Sequence, residues 1–292
     1  MISERVDLAL DNAQLEELAL NLAHTVHKAV LNGGNGARET ADLLHGIWLG
    51  HPLHPALTDL VVGAWTLGTL FDLISLRDHN QQVERIADTL TTVGNYAALP
   101  TILSGLTDFS TIPDPAAKTA LTHALFNGAG FALQVASARA RHEGDRKRAT
   151  SFSAVAMILM SAGAYLGGHL VYNKKVGVKQ SDEATEPQEW TPTLELTKIR
   201  EGEPRRVEVA GHPVLLYRAR GSLWAIGAVC PHAGGPLEQG KFFDGCVQCP
   251  WHDSVFALQD GSVVHGPSTY PVQHYEVRVQ NGMVEVRLEP PR

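Results

Sequence analysis

Cysteine is scarce in this sequence: there are three in 292 residues, at positions 230, 246 and 249. Three thiols cannot build a disulfide framework, and their clustering in one short stretch points to metal binding instead. Positive charge is also in short supply. Lys and Arg number 24 against 31 Asp and Glu, a net charge of -7, which excludes the basic face expected of a nucleic-acid binder. The N-terminus, MISERVDLAL, has no basic segment leading into an apolar core, so no cleavable signal peptide is expected.

What is present falls into two unlike halves, and the length suits two domains. Residues 1–40 are dominated by apolar positions at helical spacing (Leu8, Leu15, Leu18, Leu22, Val26, Val30) that run into NGGNG. This predicts one amphipathic helix over 4–31 with a glycine stop. A short helix is expected around Thr40–Leu49. Four apolar segments follow, at 56–76, 86–109, 119–140 and 149–172. Each is about 20 residues or slightly longer, enough to cross a bilayer. Asp59, Asp72, Asp88, Asn95 and Asp108 interrupt them. Small residues such as Gly63, Gly105, Gly163 and Gly167 recur, as close helix packing in membranes favours. The reading is an all-α four-helix transmembrane bundle over 41–178.

Residues 179–192 are polar, without apolar periodicity, and read as a linker. From 193 to 292 the pattern alternates, with turn signals at 210–213, 220–222, Asp260-Gly261 and Asn281-Gly282. A small all-β domain is expected there. Within it stand CPHAGG and CPWHDS, which carry Cys230-x-His232 and Cys249-x-x-His252. Two Cys and two His are also the generic zinc set. Three features argue against zinc: each loop mixes one Cys with one His, Pro231 and Pro250 follow the cysteines directly, and a third loop, Gly266-Pro267, is available to cover the site.

The two boxes resemble those of the Rieske [2Fe–2S] domain, a resemblance that covers residues 193–290. It implies a [2Fe–2S] cluster with Cys230 and Cys249 on one iron and His232 and His252 on the other. Imidazole in place of thiolate removes negative charge and raises the potential. The quinol-oxidising cytochrome bc type carries an extra Cys in each box, joined as a disulfide; here those places hold Gly235 and Trp251. That type also has a Ser two residues and a Tyr four residues after the second His. This chain keeps Ser254 but has Phe256. With one of two potential-raising hydrogen bonds left, the resemblance implies a value inside the Rieske range of about -150 to +300 mV. Asp253 stands where the family most often has Gly, and its carboxylate is a further candidate for tuning the cluster. Cys246, His212, His265 and His274 read as ordinary strand or loop residues.

The helical half, at LGHPLHPALTDLVVGAWTLGTLFDL and YLGGHLVYNKKVGV, is similar to a widespread family of four-helix membrane domains without an assigned activity. In an up-down bundle His51, His54, Asp108, His123 and His169 gather at one end. Ionisable groups inside spans are costly and invite a functional reading. Helix capping is the plain alternative; haem b, a metal ion or a quinone is the functional one, with His54, His123 and His169 as haem ligand candidates. The expected protein is an integral membrane, four-span carrier with both termini on one side. It passes single electrons between a quinol, haem or reductase donor and an acceptor, with membrane lipid as its surroundings. A redox-sensing or structural membrane module is the alternative. An oxygenase is a third reading, whose mononuclear iron would need Asp42, His45 and His51.

Overall fold

The computed structural model describes residues 2–78 and 80–289. The chain divides into two compact units: Met1–Gly33 with Pro52–Val176, and Gly34–His51 with Gly177–Arg292. Seven α-helices occur among the described residues: α1 (Ile2–Ala9), α2 (Ala13–Asn32), α3 (Gly34–His45), α4 (Leu53–Asp78), α5 (Gln81–Ser110), α6 (Ala117–His142) and α7 (Arg146–Tyr172). All but α3 belong to the first unit.

The single amphipathic helix expected over 4–31 is two helices. Asn12 is the cause: its side chain accepts from the backbone N–H of Gln14 at 2.9 Å and of Leu15 at 3.1 Å. A capping side chain of this kind starts a new helix rather than continuing the old one. Asn80 and Asp145 cap α5 and α7 in the same way. The four apolar segments form α4 to α7, which pack as two hairpins, α4 with α5 and α6 with α7. Glycine permits the tightest approach: a Cβ on Gly94 would stand 2.4 Å from the Trp65 indole.

Two helices, Leu53–Arg77 and Arg146–Tyr172, are long and apolar enough to cross a membrane by length and composition. The other two long helices fall short of that measure, and Asp72 and Asp88 show how the polar interruptions are tolerated. Arg141 donates to Asp72 at 2.7 Å and to Asp88 at 2.8 Å, and Arg146 donates to Asp88 at 2.6 Å. Asp72 is fully buried. Each of α4 to α7 thus contributes to a single ion-pair network, α5 through both Asp88 and Glu84, in which buried Asp72 has its counter-charges.

The second unit is built on ten strands: β1 (Thr191–Glu195), β2 (Arg205–Val209), β3 (His212–Ala219), β4 (Ser222–Gly227), β5 (Lys241–Phe243), β6 (Cys246–Gln248), β7 (Val255–Ala257), β8 (Val263–His265), β9 (His274–Gln280) and β10 (Met283–Leu288). They make a six-stranded sheet, β1-β10-β9-β4-β3-β2, and a four-stranded sheet, β5-β6-β7-β8. Two-residue turns at Ala210-Gly211, Arg220-Gly221, Asp244-Gly245 and Asn281-Gly282 have positive φ at both positions, the geometry that matches strand twist in tight hairpins. Leu215, Ile226, Val247, Phe256 and Leu258 form the buried core beneath the two Cys/His loops.

Two boundaries differ from those expected. The polar stretch 179–192 is laid along the β-domain: Gln180 N–H donates to the Pro231 carbonyl at 2.8 Å, and Ala184 is buried in the sheet core. Residues 34–51 group with the β-domain rather than with the helices on either side of them in sequence. α3 and the 3-10 turn Ile47–Leu49 lie against β8 and the loop after it.

Candidate metal centre

The two Cys/His boxes fold alike. In the first, Cys230 N–H donates to the Gly235 carbonyl at 2.8 Å, and Gly234 N–H donates to the Cys230 carbonyl at 2.9 Å. In the second, Cys249 N–H donates to the Ser254 carbonyl at 2.8 Å, and Asp253 N–H donates to the Cys249 carbonyl at 3.2 Å. Each loop therefore closes around its cysteine, and the residue four places on must take a left-handed conformation. Gly234 has φ +83° and Asp253 has φ +64°. Asp is among the few non-glycine residues that tolerate this region. Position 253 thus asks for Gly on backbone grounds, and Asp meets the demand while adding a carboxylate. That carboxylate accepts from Gln248 Nε2, a partner not singled out from the sequence.

The loops bring together two donor pairs of different character. Cys230 and Cys249 are buried with their thiols in hydrogen-bonding contact. The Cys230 thiol and the backbone N–H groups of Trp251 and His252 hold Cys249 down to about 7, against the opposing effect of burial. Cys230 is pushed well up by its bond to Cys249 and by burial. The rings of His232 and His252 lie 5.0 Å apart at an interplanar angle of 81°, half-buried, with both Nδ1 atoms shielded from solvent. Among the described residues no three His, Cys, Asp or Glu side chains converge on one ion position. A sulfur pair beside an imidazole pair is the donor set of a two-iron group that takes one pair on each iron.

Packing around the pairs is close. A Cβ on Gly235 would stand 2.8 Å from Cys249 Sγ and 3.2 Å from the Trp251 ring. Ser254 is fully buried, and its Oγ accepts the Ser268 N–H at 3.0 Å, which ties the Gly266-Pro267 loop to the second box. Phe256 is fully buried in the core beneath. Cys246 begins β6, on the strand that leads into the second box.

His265 is not an ordinary strand residue. Its Nδ1 lies 2.7 Å from an Asp42 carboxylate oxygen, and the Gly266 N–H donates to the other at 2.9 Å. Arg38, also on α3, donates to the Asp253 carbonyl at 3.3 Å. α3 thus holds two of the three loops at the site, and nothing in its own residues points to that position. Asp42, one of the three residues an oxygenase iron would need, is bonded here to His265 and to the Gly266 N–H.

Of the five residues expected to gather in the helical unit, His54 and His123 are in ring contact. The rings of His54 and His123 have centroids 6.2 Å apart. His169 is buried and instead meets Asp7 of α1 at 3.1 Å. Asp108 lies in the last turn of α5, and His51 falls in the other unit.

An antiparallel β-domain that presents two Cys/His loops and a third covering loop defines a class of iron–sulfur domain, and comparison with known proteins agrees. Residues 189–276 match the Rieske [2Fe-2S] domain, and residues 50–180 match a family described as a predicted membrane protein, DUF2231. The anthranilate 1,2-dioxygenase ferredoxin subunit of Burkholderia cepacia is 32% identical over 100 residues, 34% of this chain and 93% of that protein. Apoptosis-inducing factor 3 of Mus musculus is 33% identical over 89 residues, 30% of this chain but only 15% of that protein. Among solved structures, the ferredoxin of carbazole 1,9a-dioxygenase from Nocardioides aromaticivorans IC177 is 27% identical with a TM-score of 0.33, covering 34% of this chain and 98% of that one. The chain belongs to the Rieske [2Fe–2S] family through its C-terminal domain and carries a DUF2231 domain ahead of it.

Proposed function

We propose that this protein is a membrane-anchored one-electron carrier. Cys230 and Cys249 would hold one iron of the [2Fe–2S] cluster, and His232 and His252 would hold the other, with their buried Nδ1 atoms as the donors. The observation that carries this reading is the asymmetry of the two pairs: the thiols are buried and the imidazoles half-exposed. The bound group supplies reversible one-electron chemistry. The chain's own residues do the rest. Backbone N–H groups at 232, 233, 251 and 252 favour the thiolate form of the cysteines, the Phe256 core below excludes water, and the imidazole edge is the route by which electrons enter and leave.

Anchoring is supported by the two apolar helices and by surface-exposed apolar side chains on the long helices, among them Leu60, Leu103, Leu125 and Ile158. Exposed apolar surface on this scale suits lipid better than water. With all four long helices in the bilayer, both termini lie on one side. The similarity to a dioxygenase ferredoxin subunit supports a carrier fed by a reductase, quinol or haem, without substrate chemistry in this chain. EPR on the reduced, detergent-solubilised protein should show the rhombic signal of a mixed-ligand [2Fe–2S] centre. His232→Cys and His252→Cys should lower the potential towards that of all-thiolate clusters, about -400 mV. An unchanged potential in both variants would overturn the ligand assignment.

A further inference from the structure

The two helical hairpins of the first unit carry the same arrangement twice. In α4/α5, His54 lies at the start of α4, and its Nδ1 is 2.9 Å from the Thr101 carbonyl on α5. Four residues on from Thr101 is Gly105, where a Cβ would stand 2.7 Å from the His54 ring. In α6/α7, His123 lies in the second turn of α6, and its Nδ1 is 2.8 Å from the Gly163 carbonyl on α7. Four residues on from Gly163 is Gly167, where a Cβ would stand 3.0 Å from the His123 ring. The glycine is what lets each ring pass over the neighbouring helix and reach a carbonyl one turn back.

The chemistry of those bonds fixes the tautomer of each neutral ring. A carbonyl only accepts, so Nδ1 carries the hydrogen, and in the neutral ring Nε2 is left with the lone pair. That is the form, and the supporting carbonyl bond, found in metal-ligating imidazoles. Asn127 does not alter this: its Nδ2 lies 3.2 and 3.4 Å from the two ring nitrogens of His123, nearly equidistant, and makes its shorter bond, 2.9 Å, to the His123 carbonyl.

Two such rings stand 6.2 Å apart, centroid to centroid, at an interplanar angle of 85°. With imidazole–metal bonds of roughly 2.0–2.1 Å, a metal on the line between two Nε2 atoms puts the ring centres about 6 Å apart. The His232–His252 pair, at 5.0 Å, has the shorter spacing of ligands that meet a metal at a bend. A free divalent ion needs three or four protein ligands, and no third His, Cys, Asp or Glu joins this pair among the described residues. Two imidazoles at this spacing suffice where the metal brings its own equatorial ligands. His54, His123, Gly105 and Gly167 are all half-buried, so the site is open at its edge to a flat ligand.

We infer that His54 and His123 are the axial ligands of a haem held between the two hairpins of the helical unit. The inference uses none of the cluster residues and stands apart from the carrier reading. The test is titration of the full-length protein in detergent with hemin. The expected result is saturation at one hemin per chain with a low-spin, six-coordinate spectrum. His54→Ala and His123→Ala should each weaken binding tenfold or more and turn the spectrum high-spin, while the EPR signal of the Rieske domain persists as the check on folding. His123→Met should keep six-coordination with an altered low-spin spectrum. If the alanine variants fail to fold, the ferric EPR of the unaltered protein still decides: a low-spin bis-imidazole signal supports the site, and a high-spin signal overturns it. Binding that does not saturate, or that both alanine variants leave unchanged, also overturns it, as does Zn2+ binding at one per chain through the same two histidines.

Discussion

Replacing Ser254 with Ala tests whether a single hydroxyl sets the potential of this domain. The structure limits what that hydroxyl can do. Its oxygen already accepts the Ser268 N–H at 3.0 Å, and the side chain is wholly buried. On the proposed reading its hydrogen is the donor towards the cluster. Reduction adds negative charge at the site, so a donor stabilises the reduced form and its removal must lower the potential. A hydrogen bond to a charged group is worth about 1.5–3 kcal/mol. For a one-electron couple 59 mV corresponds to a tenfold change in equilibrium, so the upper limit of the fall is roughly 65–130 mV. Ser254→Cys, a weaker donor, should give a smaller fall in the same direction. The Ala variant also leaves the Ser268 N–H without its acceptor, at a cost of about 1–3 kcal/mol, so thermal stability should drop while the cluster remains. Potentiometric titration followed by EPR reads both variants. An unchanged or raised potential with the signal intact would refute the role given to Ser254.

Gly235→Ala should reduce iron content per chain, because its Cβ would press on Cys249 Sγ at 2.8 Å; elemental analysis of the purified variant decides it, and full loading would count against the close-packed ligand loop. Arg141→Leu removes a partner of buried Asp72 and should cost the helical unit about 3–5 kcal/mol, seen as a fall in its melting temperature in detergent. Asp42→Ala removes the acceptor of Gly266 N–H and the partner of His265, so limited proteolysis should cut within 34–51 faster than in the unaltered protein. Burial works to raise the Asp7 carboxyl, but hydrogen bonds from Lys174 and His169 outweigh it and hold the group below its ordinary value. A lowered carboxyl contributes stability above its unfolded pKa, near 3.9, that is lost as pH falls through the folded value. Asp7→Asn should therefore destabilise the protein at neutral pH and match it in acid; a constant difference across the titration would contradict the assignment.

The Cys/His boxes were legible because they are local: each Cys and His pair lies in one short loop with its own closing hydrogen bonds. The β-hairpins at Arg220-Gly221 and Asn281-Gly282 were legible for the same reason. What escaped was long-range. Nothing near Asp42 says that it will meet His265, more than two hundred residues away. Nor does the Asp72 neighbourhood name Arg141 as the group that permits a buried carboxylate. The helix over 4–31 failed for a different reason: apolar periodicity runs straight through Asn12, and only the side-chain bond to Gln14 and Leu15 shows that capping wins there. In the helical unit the histidines were visible and their grouping only partly so. The repeated four-residue step, Thr101 to Gly105 and Gly163 to Gly167, was open to inspection as sequence, but it acquires meaning only when each carbonyl is seen to hold a ring.

The placement of α3 makes the C-terminal domain discontinuous in sequence. A fragment cut at residue 177, where a linker invites the cut, would keep both Cys/His boxes yet lack Arg38, Asp42 and Ile47. Its Gly266 loop would lose a carboxylate, and Asp253 would lose the guanidinium at its carbonyl. Such a fragment is a different object from the domain in the intact chain, and a potential measured on it would describe the fragment. A faithful soluble version would have to graft residues 34–51 back, by circular permutation or as a separate peptide, so that its loops meet the same neighbours.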